Sequence, residues 1–215
     1  MAPLLLLKYG VLLSLLIALV SLSILVIRTF SFGKRQLYAA PKGDAGKGII
    51  YAFGKGMTPW EKESAGRHLP TYIGGILYHG GVFIALLYLL FVVFSITIPS
   101  PLLQVFRLVF LAGAISGAAL LVKRMSAAAM RTISCPDDFA ANILVDLFIL
   151  SALIQSVTPE FTPYFFLVSI IMFLYMPLGK IRHCFFFFYV RVLYGLFYGR
   201  RNVFPNKWDS SSTDS

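Results

Sequence analysis

Charge is scarce in this sequence. Only 13% of its 215 residues are charged, and nine of those are Asp or Glu. Soluble domains carry roughly a quarter charged residues, so a chain that is 58% hydrophobic with a mean hydropathy of +0.80 falls outside that class. Cysteine is scarcer: Cys135 and Cys184 are the two in the chain. They have neither the number nor the spacing of a disulfide framework or a zinc site, and neither is assigned a function. The start Met-Ala-Pro-Leu has no basic region of the kind that opens a secretory signal, so the first apolar run is expected to be retained. The net charge of +10 raises the question of nucleic acid. Its cations fall in loops between apolar runs and not on one basic face, which excludes that class of partner and makes them reporters of topology.

What the sequence does have is long apolar runs. Residues 4–27 hold one charge, Lys8, and at about 1.5 Å per residue they can cross a hydrocarbon core of roughly 30 Å. Further spans are expected at about 71–98, 102–122, 139–157 and 164–190. Pro99-Ser-Pro101 is a turn short and rigid enough to make a hairpin of antiparallel helices. Ser134-Cys-Pro-Asp-Asp138 has the pattern of a helix start, with Ser134 as cap, an early proline and acids in the first turn. Residues 28–70 are rich in Gly and Lys and read as a basic polar loop without a core of its own. Within it, Gly43-Asp-Ala-Gly46-Lys-Gly48 lacks the spacing of a phosphate loop and reads as flexible loop. Residues 209–215 read as a disordered tail. The expectation is an all-α membrane protein whose residues 1–208 form one five-transmembrane-helix bundle.

Its orientation follows from the cations. Eight Lys or Arg lie in 28–70, three in 123–138 and six from Gly179 onward, whereas the two turns on the other side hold none. Short basic loops stay cytoplasmic, so the N-terminus is expected outside and the C-terminus in the cytoplasm.

Two histidines stand out against the apolar background: His79 in Tyr72-Ile-Gly-Gly75-Ile-Leu-Tyr-His79-Gly-Gly-Val82, and His183 in Pro177-Leu-Gly-Lys-Ile-Arg-His183. An ionisable group within a span marks a cofactor, an ion path or a buried partner. The bland reading of His79 is a neutral imidazole bonded to a neighbouring helix. That of His183 is an interfacial residue beside the snorkelling cations Lys180 and Arg182. Each histidine follows a glycine by four residues, Gly75 and Gly179. Helical side chains lean toward the N-terminus and cover the preceding turn, so these glycines would leave room for one flat macrocycle between two helices. On this reading His79 and His183 are axial ligands of one haem iron. On straight helices they differ in depth, at about 13 Å and about 30 Å from their helix starts. A long, tilted last helix kinked at Pro177 would reduce the mismatch. Lys180, Arg182 or Arg191 would then meet the haem propionates.

The remaining features read blandly. His68 is a solvated residue at the mouth of the second span. Gly113 with Gly117, and Gly195 with Gly199, are small-xxx-small pairs for close helix packing. The aromatic run 185–189 reads as an interfacial belt, where a quinone ring could also make contact.

The motifs around His79, Ser134-Cys-Pro-Asp-Asp138, and Pro177 to His183 followed by Arg200-Arg-Asn-Val-Phe-Pro205 resemble the haem b membrane subunits typified by the gamma subunit of respiratory nitrate reductase. Heterodisulfide-reductase-like membrane subunits are relatives. The resemblance covers the second to fifth spans and implies a multi-pass subunit of a bacterial or archaeal inner membrane. Such a subunit exchanges electrons between quinone and a cytoplasmic iron-sulfur or reductase subunit through b haems. Two-haem members carry a further histidine about three turns later in the second span and one near the outer end of the last. Leu89 and Phe165 stand in those regions here, which implies a single haem b held by His79 and His183. A rival of another class is a haem-free assembly subunit or small transporter that uses its histidines for packing or proton transfer.

Overall fold

The computed structural model describes residues 2–33, 40–61 and 63–203. The expected tail at 209–215 lies outside them, as do Lys34, Arg35, Lys62 and Lys207 of the basic segments. The described residues are helical, with no strand: α1 (Ala2–Phe30), α2 (Ala45–Phe53), α3 (Glu63–Arg67), α4 (Leu69–Val93), α5 (Ser100–Ser126), α6 (Ala128–Ile133), α7 (Pro136–Val157), α8 (Thr162–Tyr175) and α9 (His183–Arg201), joined in places by short 3-10 turns. Four of these helices are long and apolar enough to cross a membrane, and a fifth crossing results if Pro159–Tyr175 and Lys180–Arg201 are one interrupted span. In the four, only 22 to 44% of the most apolar window is buried. Their outer faces are therefore apolar as well, which suits lipid and not water. The chain is a multi-pass, all-α membrane protein.

The helix boundaries have local causes. α5 opens with Pro101 in its first turn, where no N–H is needed for an intrahelical bond. α4 stops at Val93, short of the expected 98, because Ser95 takes a left-handed conformation at φ 55°. The N–H of Ile96 then bonds back to the carbonyl of Phe91 at 2.8 Å, which closes the helix end. α7 begins one residue later than the Ser134 cap anticipated. Its N-cap is Cys135, whose N–H donates to Asp138 Oδ2 at 2.9 Å. Ser134 instead donates to the carbonyl of Met130 at 2.7 Å and receives Arg124 at 3.0 Å.

The expected last span at 164–190 is not one helix. It stops at Tyr175 and resumes at His183. Pro177 has no N–H, and the N–H groups of Leu178 and Gly179 both turn back to the Tyr175 carbonyl, each at 3.0 Å. Asp137 of α7 secures the break: its carboxylate accepts the Tyr175 hydroxyl and, at 2.8 Å, the N–H of Lys180.

The described chain divides into two compact units. The first comprises Met1–Ser23 and Ile73–Arg182. Val11, Ser14, Ala18 and Leu22 of α1 bury a stripe at helical spacing. Its core is aromatic, with Phe110, Phe148 and Phe165 fully buried and Tyr88 set against Phe106, Phe110 and Phe165 at 5.5–6.4 Å. α4 and α5 cross where glycine meets glycine: a Cβ on Gly113 would lie 2.8 Å from Gly81 Cα. The packing role expected of Gly113 is found there.

The second unit comprises Ile24–Tyr72 and His183–Ser215. Here the segment expected as a plain loop holds α2, capped by Asp44, whose Oδ1 accepts the N–H of Gly46 at 2.7 Å. α2 lies against α9 so closely that a Cβ on Gly195 would be 2.4 Å from Ile49 Cα and one on Gly199 2.7 Å from Gly48 Cα. The N–H groups of Lys42 and Gly43 donate to the Arg200 carbonyl at 2.9 and 3.1 Å. Phe53 meets Phe187 and Phe188, each at 6.3 Å, and Phe30 meets Tyr189 at 5.7 Å. Tyr51 donates to Glu61 at 3.0 Å, and Lys55 pairs with the same carboxylate at 3.2 Å. Burial, and then that hydrogen bond, push the Tyr51 phenol up to about 12.

Because the atoms facing Gly195 are backbone, Gly195→Ala should weaken the α2–α9 contact by about 1–3 kcal/mol. Trypsin cleavage at Lys47 should accelerate, while Gly74→Ala, where a Cβ meets nothing within 4 Å, should cleave at the parent rate.

Candidate functional site

His79 is exposed on α4 of the first unit. Its Nδ1 lies 2.7 Å from the carbonyl oxygen of Gly75. A carbonyl can only accept, so Nδ1 carries a proton and donates it to Gly75. Hydrogen bonding of one ring nitrogen to a backbone carbonyl is how proteins orient an imidazole that binds metal through the other. The face around it is bare: a Cβ built on Gly74, Gly75 or Gly80 meets nothing within 4 Å. Beside Gly80 an open apolar groove of about 490 Å³ runs between α4 and α5, lined by Ile76, Leu77, Ile84, Val105 and Leu108 among others. The Tyr78 ring stands edge-on to His79 with centroids 6.3 Å apart. The glycine clearance expected at His79 is thus open surface.

The second half of the expected site is arranged differently. His183 is exposed and is the first residue of α9, in the second unit, and not an interior residue of a longer helix. The space over Gly179 is occupied: a Cβ there would lie 2.4 Å from the Tyr175 ring. That glycine makes room for the Tyr175–Asp137 contact. Lys180 reaches Asp138 Oδ2 at 2.6 Å, and Arg124 reaches the other oxygen at 3.4 Å. Lys180 is therefore held by a carboxylate of its own chain. Arg182 is exposed, and Arg191 lies over the rings of Phe187 and Tyr194 at 5.5 and 5.9 Å. His68 is exposed at the start of α4, as its bland reading anticipates. Cys135 and Cys184 are free thiols. Among the described residues no three His, Cys, Asp or Glu side chains come together to hold a metal ion.

A polar seam along α7, which the sequence reading passed over, is the most buried chemistry of the first unit. Asp146 lies at the middle of α7 with only 9% of its surface exposed. Asn142, one turn earlier, donates to Asp146 Oδ2 at 2.9 Å and to the Tyr78 hydroxyl at 3.2 Å, and reaches the Gly117 carbonyl at 3.4 Å. Tyr78 donates to the Asn142 carbonyl at 3.1 Å, so α4, α5 and α7 are tied at one level. Gly117 admits the carboxyl and the phenol, since a Cβ there would lie 1.9 Å from Asp146 Oδ1 and 2.5 Å from the Tyr78 ring. Two turns further on, Tyr88 donates to Gln155 at 2.5 Å, Gln155 to Thr162 at 3.1 Å, and Arg107 to the hydroxyl and carbonyl of Ser156. The signal for Asp146 was in the sequence. It is an acid within an expected span, the same criterion that singled out His79.

Asn142→Leu removes the donor shared by Asp146, Tyr78 and Gly117. It should lower stability in detergent by about 1–2 kcal/mol, read from thermal unfolding of the helical signal.

Compared with known protein families, curated proteins and solved structures, the chain matches none.

Proposed function

We propose that this chain is a haem b membrane-anchor subunit that carries electrons between the quinone pool and a cytoplasmic iron-sulfur or reductase subunit. The observation that supports it is the setting of His79: its Nδ1 is held by the Gly75 carbonyl at 2.7 Å, on a face that glycine keeps clear. Those residues fit a haem edge. Gly179 does not offer the same clearance, so His183, which would be the other residue to hold the haem, is proposed from the sequence pattern alone. A b haem ligated by two imidazoles supplies one-electron transfer without an open position for substrate. The Gly75 carbonyl holds the His79 ring in one tautomer and orientation. Arg182 and Arg191 are the cations for the propionates, since Lys180 is engaged by Asp138.

On this reading the basic segments 28–70, 123–138 and the chain from Gly179 onward face the cytoplasm, with the N-terminus outside, and the resemblance to nitrate-reductase-type subunits implies a bacterial or archaeal inner membrane. The positive charge of those segments favours an acidic redox partner.

Purified protein from haem-replete cells should show a reduced b-type spectrum, lost in both His79→Ala and His183→Ala. A colourless, folded preparation overturns the haem reading in favour of a haem-free assembly subunit. If His183→Ala keeps the spectrum, the second ligand lies elsewhere, and His68→Ala is the next variant to measure. For orientation, Cys135 is exposed. In a Cys184→Ser background a membrane-impermeant maleimide should label it in inverted vesicles and leave it unlabelled in intact cells; the reverse pattern places the N-terminus inside.

A further inference from the structure

The electron-transfer reading makes no use of Asp146. It lies ten residues into α7, or about 15 Å from the helix start at 1.5 Å per residue. Oδ2 has the Asn142 amide at 2.9 Å, but Oδ1 is buried without any hydrogen-bond partner. Gly117 lies directly against Oδ1, where a Cβ would approach to 1.9 Å, so neither a bridging water nor a metal ion fits on that side.

Among the described residues no cation pairs with this carboxyl. α4 presents Tyr78 to it, and α5 presents Gly117. Of the three α5 cations, Arg107 is engaged by Ser156 and Arg124 by Asp138, and Lys123 lies about 9 Å further along the helix than Gly117. Lys180, in the turn after α8, pairs with Asp138 as well. α8 carries no acid, cation or histidine. An ionised carboxylate in that setting would hold an unpaired charge at several kcal/mol of desolvation cost, and such groups take up a proton instead. Protonation removes the charge and leaves Oδ2 as a carbonyl acceptor for Asn142.

We propose that Asp146 is an intramembrane proton-binding site, carrying its proton as a neutral carboxylic acid clamped by Asn142 and Tyr78 against Gly117. The acid is an intramembrane proton donor in its own right, and its assignment does not depend on whether haem binds. The other described aspartates have donors or cations: Asp44 caps α2, Asp137 accepts Tyr175 and Lys180, and Asp138 accepts Cys135 and Lys180.

Infrared spectroscopy of the purified full chain in lipid nanodiscs at neutral pH tests this. The wild type should show the carbonyl stretch of a protonated carboxylic acid that moves on carbon-13 labelling of aspartate and disappears in Asp146→Asn. The carboxamide mimics the neutral acid, so that variant should keep the wild-type helical signal and unfolding midpoint. In Asn142→Ala the band should move to higher wavenumber, because its carbonyl loses a hydrogen bond; this assigns the band even if Asp146→Asn does not fold. Absence of an aspartic acid band at neutral pH overturns the proposal. So does a band that survives in Asp146→Asn or stays unmoved in Asn142→Ala.

Discussion

The acid pair that opens α7 holds the polar end of the first unit together. Asp137 takes the Tyr175 hydroxyl and the Lys180 N–H, while Asp138 caps its own helix and takes Lys180 and Arg124. Helical backbone can end at an apolar surface only if its free N–H and C=O groups find partners. Pro177 forces the chain to leave the helix, and Asp137 supplies an acceptor for the first N–H beyond the break. The break therefore belongs to α7 as much as to α8. The same carboxylate makes use of Gly179, because only a residue without Cβ lets the Tyr175 ring turn toward Asp137.

Glycine does comparable work in both units, for different ends. Gly81 with Gly113, and Gly48 with Gly195 and Gly199, bring helix backbones close enough for dispersion contacts along the crossing; between the apolar spans α4 and α5 this matters because lipid offers no hydrophobic gain between helices. Gly117 instead creates a recess for Asp146 and Tyr78. Gly74, Gly75 and Gly80 meet nothing, and leave the His79 face open. Three uses of one residue type follow from what the neighbouring element places opposite it.

The seam along α7 and the His79 face divide the polar groups of the first unit into two kinds. Asn142 with Tyr78, Gln155 with Tyr88, and Arg107 with Ser156 pair between helices, and so stabilise the packing. His79 is bonded within its own helix, on an exposed face. Asp146 belongs to neither kind. One of its oxygens is bonded into the seam and the other is buried without a partner.

Four spans could be read directly from the sequence because length and hydropathy are local properties, and the Pro99–Pro101 turn because proline acts on its own peptide. The histidines could be named for the same reason: an ionisable residue in an apolar run is conspicuous wherever it points. Local pattern did not reveal α2, a nine-residue helix with two glycines that is too short to hold without its crossing to α9. It also placed the α7 cap at Ser134, one residue early, since Cys135 caps through its backbone and Asp138. The engagement of Lys180 and the burial of Asp146 each depend on a residue at least 29 positions away. Sequence by itself determined which segments are helical and apolar, since those are sums over neighbours in the chain. Which polar groups are satisfied and which keep a free atom for chemistry was decided only in the tertiary structure, because a hydrogen bond or a close packing contact needs both partners in place.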